Sequence, residues 1–295
     1  MTEPTRLSFG IKTTPQNVSF ADILKVWEEA DTIPVIQHAW LWDHLQPMRG
    51  DTSIPVPEGW TALAALAART NRLQIGLVVT NNLIRPPALL AKIASTTDVI
   101  ADGRLVLGIG AGGSAGPESE AYGIPQPGAG ERIKRLAESI TIIKRMFTQD
   151  TVDFDGKYYQ LVAARCEPKP VHKPYPPIMI GGAGERATLR VVAEHADIWN
   201  MPGPPYFTAT EFRHKCTVLD EHCAAIGRDP KEITRSVQTH VNYEDPAASR
   251  DTLLELIDAG AQHLVLNLPT PYPAAPATWL AEEVIMPVAA KANAL

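Results

Sequence analysis

The chain has 295 residues, 45% of them hydrophobic, enough to bury a large core as either one α/β barrel of ordinary size or two modest domains. Its 33 acidic and 27 basic residues leave a net charge of -6 with no long charged run, which excludes a basic stripe for nucleic acid and a polybasic membrane anchor. No apolar run approaches the roughly 18 residues of a membrane span, and MTEPTRLSFG lacks an export signal's charged and apolar regions, so a cytoplasmic protein is expected.

Apolar, β-branched runs alternate with helical patterns along the whole chain, the mark of parallel βαβ units rather than hairpins. Strands are predicted at 7–12 (LSFGIK), 38–42 (HAWLW), 73–79 (LQIGLVV) and 104–109 (RLVLGI), then at 176–181 (PPIMIG), 196–200 (ADIWN), 235–241 (RSVQTHV) and 262–268 (QHLVLNL). Helices are predicted near 19–31, 59–69, 87–101, 131–147, 185–195, 208–226, 247–259 and 277–293. Ser19 stands at an N-cap position, and Gly227 and Gly260 stand where helices end. Between the fourth helix and the fifth strand, about 148–175, lies an irregular segment with a predicted hairpin, TVDFDGKYYQL, turning at Asp155-Gly156, followed by EPKPVHKPYPP. It is expected as an insertion near the barrel mouth.

Eight βα repeats with no polar linker predict a single (β/α)₈ TIM barrel over 1–295, with a two-domain doubly wound protein as the alternative. Ligands bind at the carboxyl ends of the strands in such folds. The burst after the fourth strand matches G-x-G-x-x-G at Gly108, Gly110 and Gly113. A Rossmann loop, however, needs a helix starting inside the motif. Here Ser114-Ala115-Gly116-Pro117 follows, and the next predicted helix resumes near Glu131. A barrel loop that lets backbone pass close to a flat ring or substrate is the better reading.

The three cysteines form no Cys-x-x-Cys pair, and Cys216 and Cys223 are roughly 10 Å apart on one predicted helix, too far for a disulfide. Neither they nor His38 and His44, which flank a strand end, have metal-site spacing, so reduced thiols and no metal are expected. At the end of the second strand, WLWDH places Asp43 and His44 side by side at the mouth. A histidine titrates near neutrality and can donate or accept a proton there, with a carboxylate to orient it.

These residues carry a resemblance to the bacterial luciferase-like superfamily, in particular to its members dependent on the deazaflavin coenzyme F420. It rests on WLWDH at 40–44, GLVVTNNLIRPPALLAK at 76–92, DGRLVLGIGAGG at 102–113 with Glu120 and Tyr122-Gly123-Ile124-Pro125, and PPIMIGGAGERATLRVVAEHADIWN at 176–200. The resemblance implies a barrel whose cofactor ring lies at the strand ends. Asp43 would hydrogen-bond the coenzyme, and His44 would sit by its reactive ring. The family's bulge after strand three, commonly with a non-proline cis peptide, maps near Val78-Val79, with Thr80 and Asn81 following. Gly110, Ala111 and Gly112 would meet the ring or ribityl chain through backbone groups. Gly181, Gly182 and Gly184, before a helix holding Arg186 in its first turn, would form an anion site. Trp42, Trp60 and Tyr122 are candidate pocket residues.

The chain departs from the family's F420-dependent sugar-phosphate dehydrogenases at Gly113, where those carry a glutamate acid/base. Sugar-phosphate oxidation is therefore not expected, and His44 is left as the proton source of a reductase acting on a conjugated C=C or C=N. An FMN-dependent monooxygenase is the alternative within the superfamily. A non-catalytic flavin-binding or accessory barrel and a metal-dependent hydrolase are alternatives of other classes. A homodimer, as is usual in the family, and a small-molecule substrate are expected.

Overall fold

The computed structural model describes residues 7–48, 50–113 and 116–292. Ser114 and Ala115 of the loop after the glycine burst, and Asn293 at the predicted end of the last helix, lie outside that range. The chain begins with β1 (Ser8–Thr13), α1 (Phe20–Asp31), β2 (His38–Leu41), α2 (Gly59–Ala67), β3 (Gln74–Leu77) and β4 (Thr80–Asn81). It continues with α3 (Pro87–Ile100), β5 (Leu105–Gly110), α4 (Pro117–Ala121) and α5 (Ala129–Thr148). A hairpin of β6 (Val152–Asp155) and β7 (Gln160–Ala164) precedes β8 (Ile178–Gly181), α6 (Thr188–His195), β9 (Ile198–Pro202) and α7 (Ala209–Ala225). The last elements are β10 (Thr234–His240), α8 (Pro246–Asp258), β11 (His263–Leu268), α9 (Pro276–Leu280) and α10 (Met286–Ala292).

The strands pair in parallel in the order β3-β2-β1-β11-β10-β9-β8-β5, and pairing of Ile75 with Leu105 joins β3 to β5 and closes the barrel. β3 and β4 are two pieces of one strand, so the barrel has the eight strands read from the sequence. Both faces of each strand are covered, which is why the runs are apolar rather than alternating. On β1, Phe9 and Ile11 pack outward against helices, while the wall residues Trp40, Val78, Val106, Met179 and Val265 form a separate cluster inside the barrel.

The helices start and stop where their sequences allow. Ser19 caps α1 by accepting the Asp22 N–H at 3.1 Å, and Thr208 with Glu211 forms a capping box on α7. Gly227 and Gly260 follow α7 and α8 with positive φ. The short α4, opened by Pro117 behind Gly116, was not legible among turn-forming residues.

The insertion is not at the mouth. It connects the end of a helix to the start of a strand, both of which lie at the amino-terminal edge of the barrel. Its hairpin folds back along α5, where Glu138 accepts the N–H groups of Lys157 (3.0 Å) and Tyr158 (2.9 Å). The proline-rich return leg runs past α3. There Ser95 donates to the Pro168 carbonyl, and Asp98, just before the turn into β5, accepts the His172 N–H at 3.0 Å.

Candidate active site

At the carboxyl end of the barrel the strand ends enclose a cavity of about 690 Å³, within the usual range for small-ligand sites. Trp42, His44 and Val78 line one side; Lys12, Gln238, His240 and Asn267 line the other. Val78, after β3, faces β10 and β11 across the barrel, while Trp42 and His44 follow β2, the neighbour of Lys12's strand β1.

His44 follows directly on β2, with its side chain about one-third exposed. Its Nδ1 lies 3.1 Å from Glu118 Oε2, and the other carboxylate oxygen, Oε1, accepts the Leu45 N–H at 2.6 Å. Burial works against the Glu118 charge, but the hydrogen bonds from His44 and the Leu45 backbone outweigh it and hold its carboxyl below the ordinary value. Glu118 therefore fixes the ring and leaves Nε2 as the nitrogen for the cavity. Glu118 sits on the five-residue helix α4; its neighbour Glu120 drew notice in the sequence, but the contact itself carries no local signal. Glu118→Gln is expected to lower kcat roughly tenfold or more with little change in coenzyme affinity. A proportionate loss of both in steady-state and binding measurements would make Glu118 merely structural.

Asp43, expected to reach the coenzyme, faces the other way. Its side chain is fully buried. Both oxygens take the fork of Arg85 (2.8 and 3.0 Å), and Oδ2 also accepts the Asn81 N–H at 3.0 Å. Burial raises its carboxyl above the ordinary value while the guanidinium pulls it back. Arg85 also pairs with Glu58, whose carboxylate caps α2 on the N–H groups of Trp60 and Thr61. Asp43 is thus a positioning residue that ties the His44 loop to the bulge after β3.

That bulge is where the family resemblance places it: the strand breaks after Leu77, the Val78-Val79 peptide is cis, and pairing resumes at Thr80. Val78 faces the cavity. Val79 packs over Gly110 and Gly181, where added Cβ atoms would lie 2.8 and 2.9 Å from its methyl groups. These two glycines therefore make room for the bulge rather than for a ring, because any larger side chain would collide with Val79. Gly112, at φ 84°, packs against Asn81 Oδ1, which also accepts the Leu83 N–H at 3.0 Å. The Thr80 hydroxyl accepts the indole N–H of Trp60 at 3.1 Å. Thr80 and Asn81 are thus engaged in holding the bulge.

Other expected residues fall away from the cavity. Trp60 is a core residue. Tyr122 is exposed on the rim and donates to the Leu45 carbonyl at 3.1 Å. Arg186 is exposed and lies in a turn before α6, which begins at Thr188 rather than around it. Gly182, at φ 141°, and Gly184 share that loop, and Ala111, half-buried, follows β5. Neither glycine loop lines the cavity itself.

Trp42, at 8% exposure, meets His44 in a T-shaped contact with ring centroids 4.9 Å apart. Its buried indole N–H has no partner among the described residues. With Val78 below and open space beside the histidine, these residues fit a flat ring lying across the mouth. Trp42, His44 and Val78 are the groups that would hold it.

On the facing wall, Lys12 donates to Gln238 Oε1 at 2.7 Å. Gln238 donates to Asn200 Oδ1 (3.2 Å), Asn200 to Ser236 Oγ (2.8 Å), and Ser236 meets His263 Nδ1 (2.8 Å). Burial lowers the Lys12 amine to about 8. An unfolded lysine keeps its proton up to about 10.5, so charged Lys12 costs stability below about pH 8 and that cost fades as pH rises toward 10.5. Lys12→Met is therefore expected to melt higher than wild type near neutral pH, with the gap narrowing through that window. A gap independent of pH in paired thermal melts would contradict this.

A closed βα barrel with a bulged third strand and a carboxylate-anchored histidine at its mouth defines a barrel of luciferase-like type. The chain belongs to the luciferase-like monooxygenase family, whose model matches residues 7–284. It is 31% identical to an F420-dependent glucose-6-phosphate dehydrogenase of Microbacterium testaceum over 86% of this chain and 72% of that protein. A protein of the same name from Kineococcus radiotolerans is 31% identical over 72% of this chain, which spans 61% of that relative's length. Among solved structures, the coenzyme F420 dependent tetrahydromethanopterin reductase of Methanopyrus kandleri superposes with a TM-score of 0.79 at 17% identity, covering 96% of this chain and 99% of that one. An F420-dependent secondary alcohol dehydrogenase in complex with an F420-acetone adduct gives 0.83 at 16% identity, covering 96% and 99%. At these identities the structural likeness speaks to the fold. No helix among the described residues is long and apolar enough to cross a membrane.

Proposed function

We propose that this protein is an F420H₂-dependent reductase acting on a conjugated C=C or C=N of a small organic molecule. The observation that carries the reading is His44: an imidazole anchored through Nδ1 by Glu118, in T-shaped contact with Trp42, in the wall of the mouth cavity. The F420-dependent relatives support the choice of coenzyme. When bound, the reduced deazaflavin supplies a hydride at its C5. The protein's part is to seat the ring over Val78, limit water through the apolar wall of Trp42, and hold a proton at His44 Nε2 for the atom adjacent to the one reduced. Gly113 is exposed and offers no acid. The carboxylate that reaches His44 is Glu118, already committed to the ring, so among the described residues His44 is left as the one group beside Trp42 and Val78 that can carry the proton.

The test is anaerobic mixing of the protein and F420H₂ with a panel of enones and cyclic imines, following return of the oxidised deazaflavin absorbance. Enzyme-dependent oxidation with at least one acceptor class, and reduced product by mass, is the expected result. Turnover confined to oxygen with reduced FMN would instead assign the barrel to monooxygenation.

A further inference from the structure

The cavity's far wall carries a charge that no described residue balances. Among the described residues lining the cavity there is no aspartate or glutamate; its charged or titratable groups are Lys12 from β1, His44 after β2, Tyr206 after β9 and His240 from β10. Lys12 forms no ion pair among the described residues and spends one donor on the neutral amide of Gln238. It is half-buried, in a protein that is acidic as a whole. A cation drawn partly out of water without a counter-charge is costly, and such a group is stabilised by any anion that can reach it. An ammonium has three donors, and Gln238 takes one.

The neighbouring groups are arranged as donors and as braces. Asn267 Nδ2 lies 2.9 Å from His240 Nδ1, and its Oδ1 accepts from Thr14 Oγ1 at 3.4 Å. Gln238 is held by Asn200, and Asn200 by Ser236, so Lys12 is braced from within the barrel. This wall stands across the barrel from the bulge and the two glycine loops, on β3, β5 and β8. A ring over Val78 therefore leaves Lys12 facing whatever lies on the ring's open side.

We propose that Lys12, with Gln238 and Asn267 beside it, is the binding site for a carboxylate of the substrate, so that the enzyme selects small conjugated carboxylates over their neutral analogues. The assignment rests on the proposed function for what becomes of the bound molecule, but the anion site itself stands on the cavity alone. Its test therefore needs no coenzyme. Benzoate and benzamide are flat, similar in size and different in charge, and calorimetric titration at neutral pH reads both on the purified protein.

Wild type is expected to bind benzoate about tenfold more tightly than benzamide. Lys12→Met is expected to abolish that difference while leaving benzamide affinity unchanged, and Lys12→Arg to keep most of it. Equal affinities in wild type, a preference that survives Lys12→Met, or no benzoate binding at tens of millimolar overturns the assignment. F420 affinity is measured alongside. If Lys12→Met weakens F420 as well, the anion belongs to the coenzyme and the substrate assignment is wrong. If F420 fails to bind wild type while the Lys12-dependent preference persists, the anion site holds and the coenzyme reading fails.

Discussion

Replacing His44 with alanine is expected to lower turnover roughly 10²-fold or more while coenzyme affinity stays within a few-fold. The separation follows from geometry. His44 meets the cavity at its edge, about one-third exposed, and its ring nitrogen is held by the Glu118 carboxylate. Of the three groups proposed to hold the ring, Trp42 and Val78 form the apolar wall that remains when His44 is removed. Removing the imidazole therefore takes away a proton at the reacting atom and little of the binding surface. His44→Ala also releases Glu118, which still accepts the Leu45 N–H, so the loop keeps one of its two ties. If His44→Ala turns over at the wild-type rate with the best acceptor, the histidine has no part in the chemistry. If affinity and turnover fall together, it is a binding residue.

The largest stability effect is expected at Arg85. Arg85→Met strands the fully buried Asp43 carboxylate and removes a partner of Glu58, and breaking a buried pair from one side costs about 3–5 kcal/mol. The loss should appear as a lower denaturation midpoint with an unchanged denaturant slope. Adding Asp43→Asn should restore part of it, because the stranded charge is the main cost. Asp43 also holds the Asn81 N–H beyond the bulge, so the single variant is expected to lose activity through displacement of both Val78 and His44. A change below about 1 kcal/mol would mean that water reaches Asp43 and that the triad is a surface network.

The fold was legible because period and punctuation agree along the chain. Eight apolar runs, helices of matching length, Ser19 as a cap and glycines at helix ends all lead to one closed barrel. The mouth was legible where a strand end carries polar residues, at Asp43-His44, and the bulge was legible only through resemblance, since Val78 and Val79 read locally as strand core. Roles were harder to see. Asp43 lost its expected coenzyme contact to Arg85, more than forty positions away, a pairing that only the closed barrel creates. Glycines 110 and 181 serve Val79, because the space they clear is defined by a third strand. Trp60 and Tyr122 were misplaced because an aromatic residue carries no local signal that separates core, rim and pocket. Lys12, Gln238 and Asn267 went unnoticed because each is an ordinary alternate residue of its strand. Only closure turns them inward together.

The measurement that bears most directly on the central claim is a parallel titration of the purified protein with F420 and with FMN, followed by absorbance or fluorescence to obtain both dissociation constants. F420 is predicted to bind at least about tenfold more tightly than FMN. Preference for FMN, or binding of neither, would contradict an F420-dependent reductase.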